Sequence, residues 1–265
     1  MQNTLSRNHI ETIYTDDNAA GQIPDLHGRP VIVFCDFDGT VTTSDVTDVL
    51  LEELAAPEWK IIEARWVNGE IDDCECMSQQ FSLINGNWNN IVAVADTIGI
   101  DPYFRAFVAQ CQSANIPVYI GSNGADTVMQ YILDREQISF DGYWAYRLIE
   151  SNDKWFLEFP QDEQRGICQA PKSIACKCAL VERSLARWRS NQGNLLMKNT
   201  IPYKIVIGDS RSDFCWTHKA DLVFAKGKLA QYCWQQNINC LSFSDFSQIN
   251  ECLKNAQIFD YHTAD

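Results

Sequence analysis

The stretch PVIVFCDFDGTVTTSD, residues 30–45, constrains the fold more than any other part of the chain. Val31 to Cys35 are apolar and largely β-branched, which predicts a buried strand. Asp36 and Asp38 follow directly, beside a glycine and a threonine. Burying one unpaired carboxylate costs several kcal/mol, and a like-charged pair costs more unless a cation compensates it. The stretch therefore predicts a cation site at the end of a core strand.

Further strand signals alternate with helix-like stretches along the chain. They occur at 116–122 (IPVYIGS) and 203–210 (YKIVIGDS), and then in ADLVFA and INCLSF near the C-terminus. This alternation predicts an α/β fold with a Rossmann-like parallel sheet. Ligands of such sheets bind beyond the carboxyl ends of the strands. Three strands end in polar or glycine-rich turns (DFDGT, GSNGAD and GDSRSD), so we expect these turns to converge on one edge.

Two segments do not follow this alternation. Residues 46–100 have helical periodicity and no strand signal, which predicts a helical cap inserted after the first strand. The other, residues 140–172, predicts a hairpin with its turn at ESNDK, followed by an irregular loop. The predicted organisation is a partly ordered N-terminal extension at 1–29, a core domain at 30–45 and 101–255, the helical cap at 46–100, and a C-terminal tail at 256–265.

Carboxylates dominate the predicted strand ends. Asp36, Asp38 and Asp209 would lie at the ends of neighbouring strands, and Asp213 would follow one helical turn later. A cluster of oxygen ligands without histidine suits a hard ion, Mg²⁺ above all. A divalent cation would therefore make the buried carboxylates tolerable.

Candidate phosphate donors come from the other turns. Ser122 and the backbone N–H groups of Asn123 and the next glycine are predicted at a strand-to-helix junction, which favours anion binding. Lys177 is the preferred counter-charge because it would begin a helix, while Lys172 is the alternative. For Thr40, a bond to the turn backbone and a role at the phosphate are both open. A carboxylate nucleophile, a metal and such a cradle together predict phosphoryl transfer.

The four motifs occur in the order that is typical of one enzyme superfamily. DFDGT matches D-x-D-x-T, VYIGSNG matches an apolar strand ending in Ser or Thr, Lys177 matches the motif lysine, and GDSRSD matches G-D-x-x-x-D. The chain therefore resembles the haloacid dehalogenase (HAD) superfamily of phosphatases. The resemblance implies Asp36 as nucleophile and Asp38 as general acid/base. It also implies Mg²⁺ held by Asp36, the Asp38 carbonyl and Asp209, with Asp213 in support, and phosphate held by Ser122 and Lys177.

Within the superfamily, the helical insertion is similar to the branch that contains phosphoserine phosphatase. FCDFDGTVTTSD, APEWK, FSLI and IGDSRSDFCWTHKADLVFAKGKLAQYC further resemble the enol-phosphate phosphatases of methionine salvage. This implies 2-hydroxy-3-keto-5-methylthiopentenyl-1-phosphate as substrate, although Asn123 stands where that group usually has glycine. Phosphocholine, phosphoethanolamine and phosphoserine stay as alternative substrates. A non-catalytic HAD-fold binding protein is the alternative of another class.

Net charge and composition limit the classes of partner that the protein is expected to bind. The net charge is −14 with no Lys/Arg cluster, which argues against nucleic-acid binding. Without an apolar span or leader, we expect a cytoplasmic protein whose partner is a small phosphorylated metabolite, and a homodimer is compatible with the sequence. Among eleven cysteines, Cys168, Cys176 and Cys178 form a local group, with Cys74 and Cys76 far upstream. Because neither group has C-x-x-C spacing, we favour reduced thiols or a disulfide over zinc.

Overall fold

A seven-stranded sheet organises the chain in the computed structural model, which describes residues 26, 28–152, 154–159, 176–191 and 200–260. The sheet has the order β4-β3-β2-β1-β5-β6-β7, and every neighbouring pair is parallel except β3 and β4. The strands are β1 Val31–Asp36, β2 Val118–Ala125, β3 Gly142–Ser151, β4 Lys154–Glu158, β5 Tyr203–Gly208, β6 Leu222–Ala225 and β7 Cys240–Ser242. The predicted α/β class with a mostly parallel sheet is confirmed.

Ten α-helices accompany the sheet within the described ranges. They are α1 Val46–Leu54, α2 Trp59–Val67, α3 Asp73–Phe81, α4 Trp88–Ala95, α5 Phe104–Ser113, α6 Asp126–Arg135, α7 Lys177–Asn191, α8 Phe214–Thr217, α9 Gly227–Gln235 and α10 Phe246–Asn255. Short 3₁₀ turns occupy Arg211–Asp213 and Ile258–Asp260. In the described part of the chain, no helix combines the length and apolarity needed to cross a bilayer.

β1 is the central strand, and all six of its residues are buried. A continuous apolar run suits this place, because a strand in the middle of a parallel sheet is covered on both faces. Beneath the sheet, Phe104 and Phe107 of α5 pack against Phe246 of α10, with ring centroids 4.8 and 5.1 Å apart. The buried end of β1 leads directly into the carboxylates that follow.

Residues 46–100, all of which the structure describes, contain four helices and no strand. In this helical insertion α1 packs against α4 and α2 against α3. The predicted hairpin is confirmed as β3 and β4. However, β3 also pairs in parallel with β2, so the hairpin extends the main sheet, a role that the sequence pattern did not predict. The Trp155 indole N–H of the hairpin donates to the Gly86 carbonyl at 2.9 Å, which joins the hairpin to the helical insertion.

Several predicted features lie outside the described residues. These are Cys168, Lys172, residues 160–172 of the irregular loop, most of the N-terminal extension and half of the C-terminal tail. At the two ends that are described, Leu26 and Ile258 are buried in the core. The division into a core domain and a cap domain stays a prediction.

Candidate active site

A buried lysine lies among carboxylates at the carboxyl edge of the sheet. Asp36 ends β1, Asp213 ends the 3₁₀ turn after β5, and Lys177 begins α7. The Lys177 ammonium donates to Asp213 Oδ1 at 2.7 Å, to Ser212 Oγ at 3.2 Å and to Asp36 Oδ1. The side chains of Lys177 and Asp213 are 0% exposed, and that of Asp36 is 3% exposed. The structure therefore brings together three predicted site residues that are far apart in the sequence.

Burial and mutual charge set the protonation of this triad. Burial raises the pKa of Asp36 to about 6, against the lowering effect of Lys177. Burial, followed by the charge of Asp36, also raises the pKa of Asp213 to about 6. Burial alone would lower the pKa of Lys177, but Asp213 and Asp36 raise it above its ordinary value. At neutral pH the site therefore holds two carboxylates and one ammonium.

Asp209 and Asp213 have different surroundings although they belong to one turn. Both oxygens of Asp213 already accept hydrogen bonds: Oδ1 from Lys177, and Oδ2 from the backbone N–H groups of Asp209 and Ser210 at 3.1 Å each. The Asp209 carboxylate accepts from the Thr40 hydroxyl at 3.3 Å, and it can also accept a hydrogen bond from Asp36 when Asp36 is protonated. Asp213 thus holds the turn and the lysine, while Asp209 is more available to a ligand.

The carboxylate cluster fits a hard cation. Carboxylate oxygens of Asp36, Asp209 and Asp213 lie within 4.8 Å of one another. Asp36 Oδ2 is buried and has no hydrogen-bond partner in the described part of the chain. A buried carboxylate oxygen without a donor is costly, and a divalent ion that prefers oxygen ligands would satisfy it. The donor set matches Mg²⁺ and contains no sulfur or imidazole, so the prediction of a hard-ion site is consistent with the structure.

The backbone of the first motif turn lets Asp209 approach. Gly39 has φ +73°, in the left-handed region, and a Cβ atom there would lie 2.9 Å from Asp209 Oδ2. Only glycine combines that conformation with that close contact at little cost. Gly39 therefore positions Asp209 beside the end of β1.

Asp38 is held on the other side of the turn. It accepts a hydrogen bond from Ser122 Oγ at 2.6 Å and one from the backbone N–H of Val46 at 3.2 Å. Burial, followed by the charges of Asp45 and Asp36, raises the pKa of Asp38 to about 8. This raised pKa favours the protonated form of Asp38 near neutral pH, which is the form that a general acid requires.

Asp45 belongs to the same electrostatic group. It caps α1 by accepting from the Asp48 N–H at 3.0 Å, as a residue of this type commonly does. Its charge also acts on Asp38, and its own pKa is raised by burial and by Asp48. The sequence indicates the cap, whereas the proximity of Asp45 to Asp38 is visible only in the structure.

The predicted phosphate cradle differs in detail from the expectation. β2 continues to Ala125, with a register shift after Gly121, and α6 begins only at Asp126. Ser122 and Asn123 therefore lie in the irregular end of a strand and not at a strand-to-helix junction. Asn123 Oδ1 is buried without a hydrogen-bond partner among the described residues, so this amide has capacity for a ligand.

Trp216 and Ser212 also belong to the site, although sequence reasoning did not select them. Trp216 is fully buried, and the Lys177 ammonium lies 4.8 Å from the centroid of its ring. A desolvated cation–π contact contributes about 2 kcal/mol. A Cβ atom on Gly121 would lie 3.1 Å from this ring, so that glycine makes room for it. Its position on α8, three residues after Asp213, was the only signal in the sequence.

The fold and the carboxylate–lysine site together define a phosphatase of the HAD type. A solved structure, a phospho-aspartyl intermediate analogue of phosphoserine phosphatase, superimposes with a TM-score of 0.60. It shares 18% identity, and the match covers 84% of this chain and 98% of that chain, which shows a common fold.

Curated relatives define the family more closely, while no family model matches the chain. The 2-hydroxy-3-keto-5-methylthiopentenyl-1-phosphate phosphatase of Bacillus thuringiensis (strain Al Hakam) is 30% identical over 228 residues, covering 84% of this chain and 95% of the relative. The protein of the same name from Bacillus mycoides (strain KBAB4) is 32% identical over 229 residues, with the same coverage. The chain belongs to this family of HAD phosphatases.

Proposed function

We propose that the chain is a Mg²⁺-dependent phosphatase that hydrolyses a small-metabolite phosphate monoester through an aspartyl-phosphate. The observation that carries this proposal is the Asp36 carboxylate, which Lys177 holds by one oxygen while the other oxygen has no donor among the described residues. Lys177 fixes the orientation of this carboxylate, which supports its use as the nucleophile.

The chemistry divides between two aspartates. An Asp36 oxygen attacks phosphorus, the bond from phosphorus to the substrate oxygen breaks, and protonated Asp38 gives its proton to that oxygen. Asp38, now a carboxylate, then takes a proton from the water that attacks the aspartyl-phosphate, which releases inorganic phosphate and restores Asp36. The raised pKa of Asp38 supports this double role, because the group must exist in both forms near neutral pH.

The remaining residues hold the metal and the phosphate. Asp36, Asp209 and the Asp38 carbonyl would hold Mg²⁺, with Asp213 in support. The metal would supply positive charge that neutralises the phosphoryl oxygens. Lys177 and Ser122 would hold the phosphate.

Asn123 and Thr40 complete the predicted contacts. The Asn123 amide, whose oxygen has no partner in the described residues, would bind the phosphate or the group next to it. The Thr40 hydroxyl donates to Asp209, so we assign Thr40 chiefly to the metal side of the site.

For the substrate, we propose 2-hydroxy-3-keto-5-methylthiopentenyl-1-phosphate. The support is the name of the relatives, which share 30–32% identity over 84% of the chain. The inserted helices also place buried or half-buried aromatic rings in the segment after the first motif, including Phe81 and Trp59. An apolar surround of this kind would suit a methylthio chain and exclude water.

One observation favours a second class of substrate, phosphocholine or phosphoethanolamine. Asp45 acts on Asp38, and Asp48 on the same helix interacts with Glu63 of α2, so the region next to Asp38 is negative. A cationic leaving group would be attracted there. Asp126, at the start of α6, accepts hydrogen bonds from the backbone N–H groups of Thr127 and Leu148 and is therefore less available to an ammonium.

The test is phosphate release from the enol phosphate, phosphoserine, phosphocholine and phosphoethanolamine, each with Mg²⁺ and with EDTA. We expect the enol phosphate to be turned over fastest and the activity to disappear with EDTA. The Asp36→Asn protein should be inactive on all four substrates, whereas Asp221→Asn, away from the site, should stay active. Full activity of Asp36→Asn would refute the mechanism. Faster turnover of an amine-bearing substrate would keep the mechanism and change the assigned substrate to that compound. No turnover of any of the four compounds would favour a non-catalytic binding protein.

A further inference from the structure

Three buried thiols form a second cluster beside the carboxylate site. Cys176 and Cys178 flank Lys177 at the start of α7, and Cys215 lies on α8, two residues after Asp213. The three sulfur atoms all lie within 4.8 Å of one another. Their residues are 5%, 8% and 3% exposed. The sequence group of Cys176 and Cys178 therefore has a partner, Cys215, that its local spacing does not reveal.

The separation of the sulfur atoms is close to that in a metal–thiolate centre. Zn²⁺ binds thiolate at about 2.3 Å, so two sulfur atoms of a tetrahedral site lie about 3.8 Å apart. An approach of about 1 Å at most would bring the cluster to this geometry. The Cys178 thiol donates a hydrogen bond to the Cys215 carbonyl oxygen at 2.9 Å, so α7 and α8 are already in contact at this point.

We propose that Cys176, Cys178 and Cys215 bind a thiophilic divalent metal ion, of which Zn²⁺ is the expected one. Within the described residues, these three sulfur ligands would fill three of its four positions. Soft sulfur donors favour Zn²⁺ over Mg²⁺, so this centre and the carboxylate cluster would select different ions. A disulfide would engage only two of the three sulfur atoms and would not account for the convergence of all three.

Nearby charge is consistent with a metal–thiolate centre. Three thiolates and one Zn²⁺ carry a net charge of −1, which a neighbouring cation would offset. Lys219 forms an ion pair with Glu182 at 3.0 Å. Its pKa is raised, chiefly by its hydrogen bond to Glu182 and to a smaller extent by the charges of Cys178 and Cys176.

The place of the cluster gives the metal a structural role. Two of its ligands lie on either side of Lys177 along the chain, and the third follows Asp213 closely. Zn²⁺ would therefore tie the start of α7 to α8 and hold the ion pair between Lys177 and Asp213 in place. The metal would stabilise the site without contacting substrate, and its binding does not depend on which phosphate ester is hydrolysed.

The experiment uses the full-length reduced protein. Zinc is measured by elemental mass spectrometry after purification without chelator, and Co²⁺ is then substituted for it in the presence of excess Mg²⁺. We expect one equivalent of zinc and, with Co²⁺, the intense near-ultraviolet absorption of sulfur-to-cobalt charge transfer. Cys176→Ser, Cys178→Ser and Cys215→Ser should each lose this absorption. Cys111→Ser, an equally buried cysteine on α5, is the matched control and should retain it.

A measurement on the unmodified protein guards against variants that fail to fold. Zn²⁺ should protect the three thiols from alkylation, as read by peptide mass spectrometry, while Cys74 should react equally with and without zinc. Absence of the cobalt absorption together with equal alkylation would overturn the proposal. So would a cobalt absorption that persists in all three variants, or a native disulfide among the three cysteines. None of these readouts uses phosphate release, so they are independent of the phosphatase assignment.

Discussion

Replacing Lys177 with methionine should destabilise the protein far more than replacing any exposed lysine. Methionine keeps most of the apolar stem, so the change removes chiefly the ammonium that bridges Asp36 and Asp213. All three side chains are almost completely buried, and removing one partner of a buried ion pair costs about 3–5 kcal/mol. The cation–π contact with Trp216 is lost as well.

The effect should depend on pH in a defined direction. In the folded protein the pKa of Asp36 and of Asp213 is raised to about 6, from an ordinary value of 3.8. Between these values the folded state binds more protons than the unfolded state, so stability falls as pH rises through about 6. Removing the ammonium raises both pKa values further. The deficit of Lys177→Met should therefore be largest above pH 7 and shrink as pH falls to about 5.

Urea unfolding in EDTA at pH 5 and pH 8 measures this deficit. At pH 8 a loss of about 3–5 kcal/mol corresponds to a fall in Tm of about 6–20 °C for a chain of this size. Lys204→Met is the matched control. Lys204 also forms an ion pair, with Asp221 at 2.5 Å, but Arg29 pairs with the same carboxylate at 3.0 Å and the groups are partly exposed. The control should lose at most about 1 kcal/mol at either pH.

The reasoning fails if Lys177→Met loses less than the Lys204→Met control, or if its loss is the same at both pH values. The first result would mean that the three buried groups are not ionised together. The second would mean that the carboxylates are not the source of the cost.

Three further predictions follow from the same geometry. The pH profile of kcat/KM should be bell-shaped: Asp36 must be ionised, which places the acidic limb at or below about pH 6, and Asp38 must be protonated, which places the basic limb near pH 8. Gly39→Ala should destabilise the protein by about 1–2 kcal/mol, because alanine disfavours the left-handed conformation, and its Cβ atom should displace Asp209. The Mg²⁺ concentration for half-maximal activity should therefore rise in this variant and stay unchanged in the control Ala56→Gly. In a thermal-shift assay at pH 8, Mg²⁺ at about 100 times its Kd should stabilise the protein by about 2.7 kcal/mol. An Asp209→Asn variant should be stabilised much less. An equal stabilisation of both proteins would contradict the assignment of the metal site.

The carboxylate end of the site was predictable because its information is local. DFDGT and GDSRSD each follow an apolar strand directly, and parallel strands present their carboxyl ends on one edge. Lys177 was predictable from its place at the start of a helix and from the order of the motifs, since nothing in its own neighbourhood specifies contact with Asp36, 141 residues away.

Features that depend on which elements pack together could not be predicted. The alternating pattern of residues 142–151 predicts a strand but not its partner, so the pairing of β3 with β2 appeared only in the structure. The same limit applies to Cys215, whose approach to Cys176 depends on how α8 lies against α7. The irregular end of β2 at Ser122 was missed because a register shift has no clear sequence pattern beyond its glycines.

The central place of β1 has a consequence for the synthesis of the chain. β1 pairs with β2 on one side and with β5 on the other, and about 80 residues separate the end of β2 at Ala125 from the start of β5 at Tyr203. At about 5–20 residues per second, one edge of this apolar strand stays unpaired for about 4–16 s while the ribosome makes the intervening segment. An open, flat, apolar strand edge is a template for pairing with other chains. Chains that end before Tyr203 should therefore aggregate, and the speed of translation through residues 126–202 should influence how much of the protein folds.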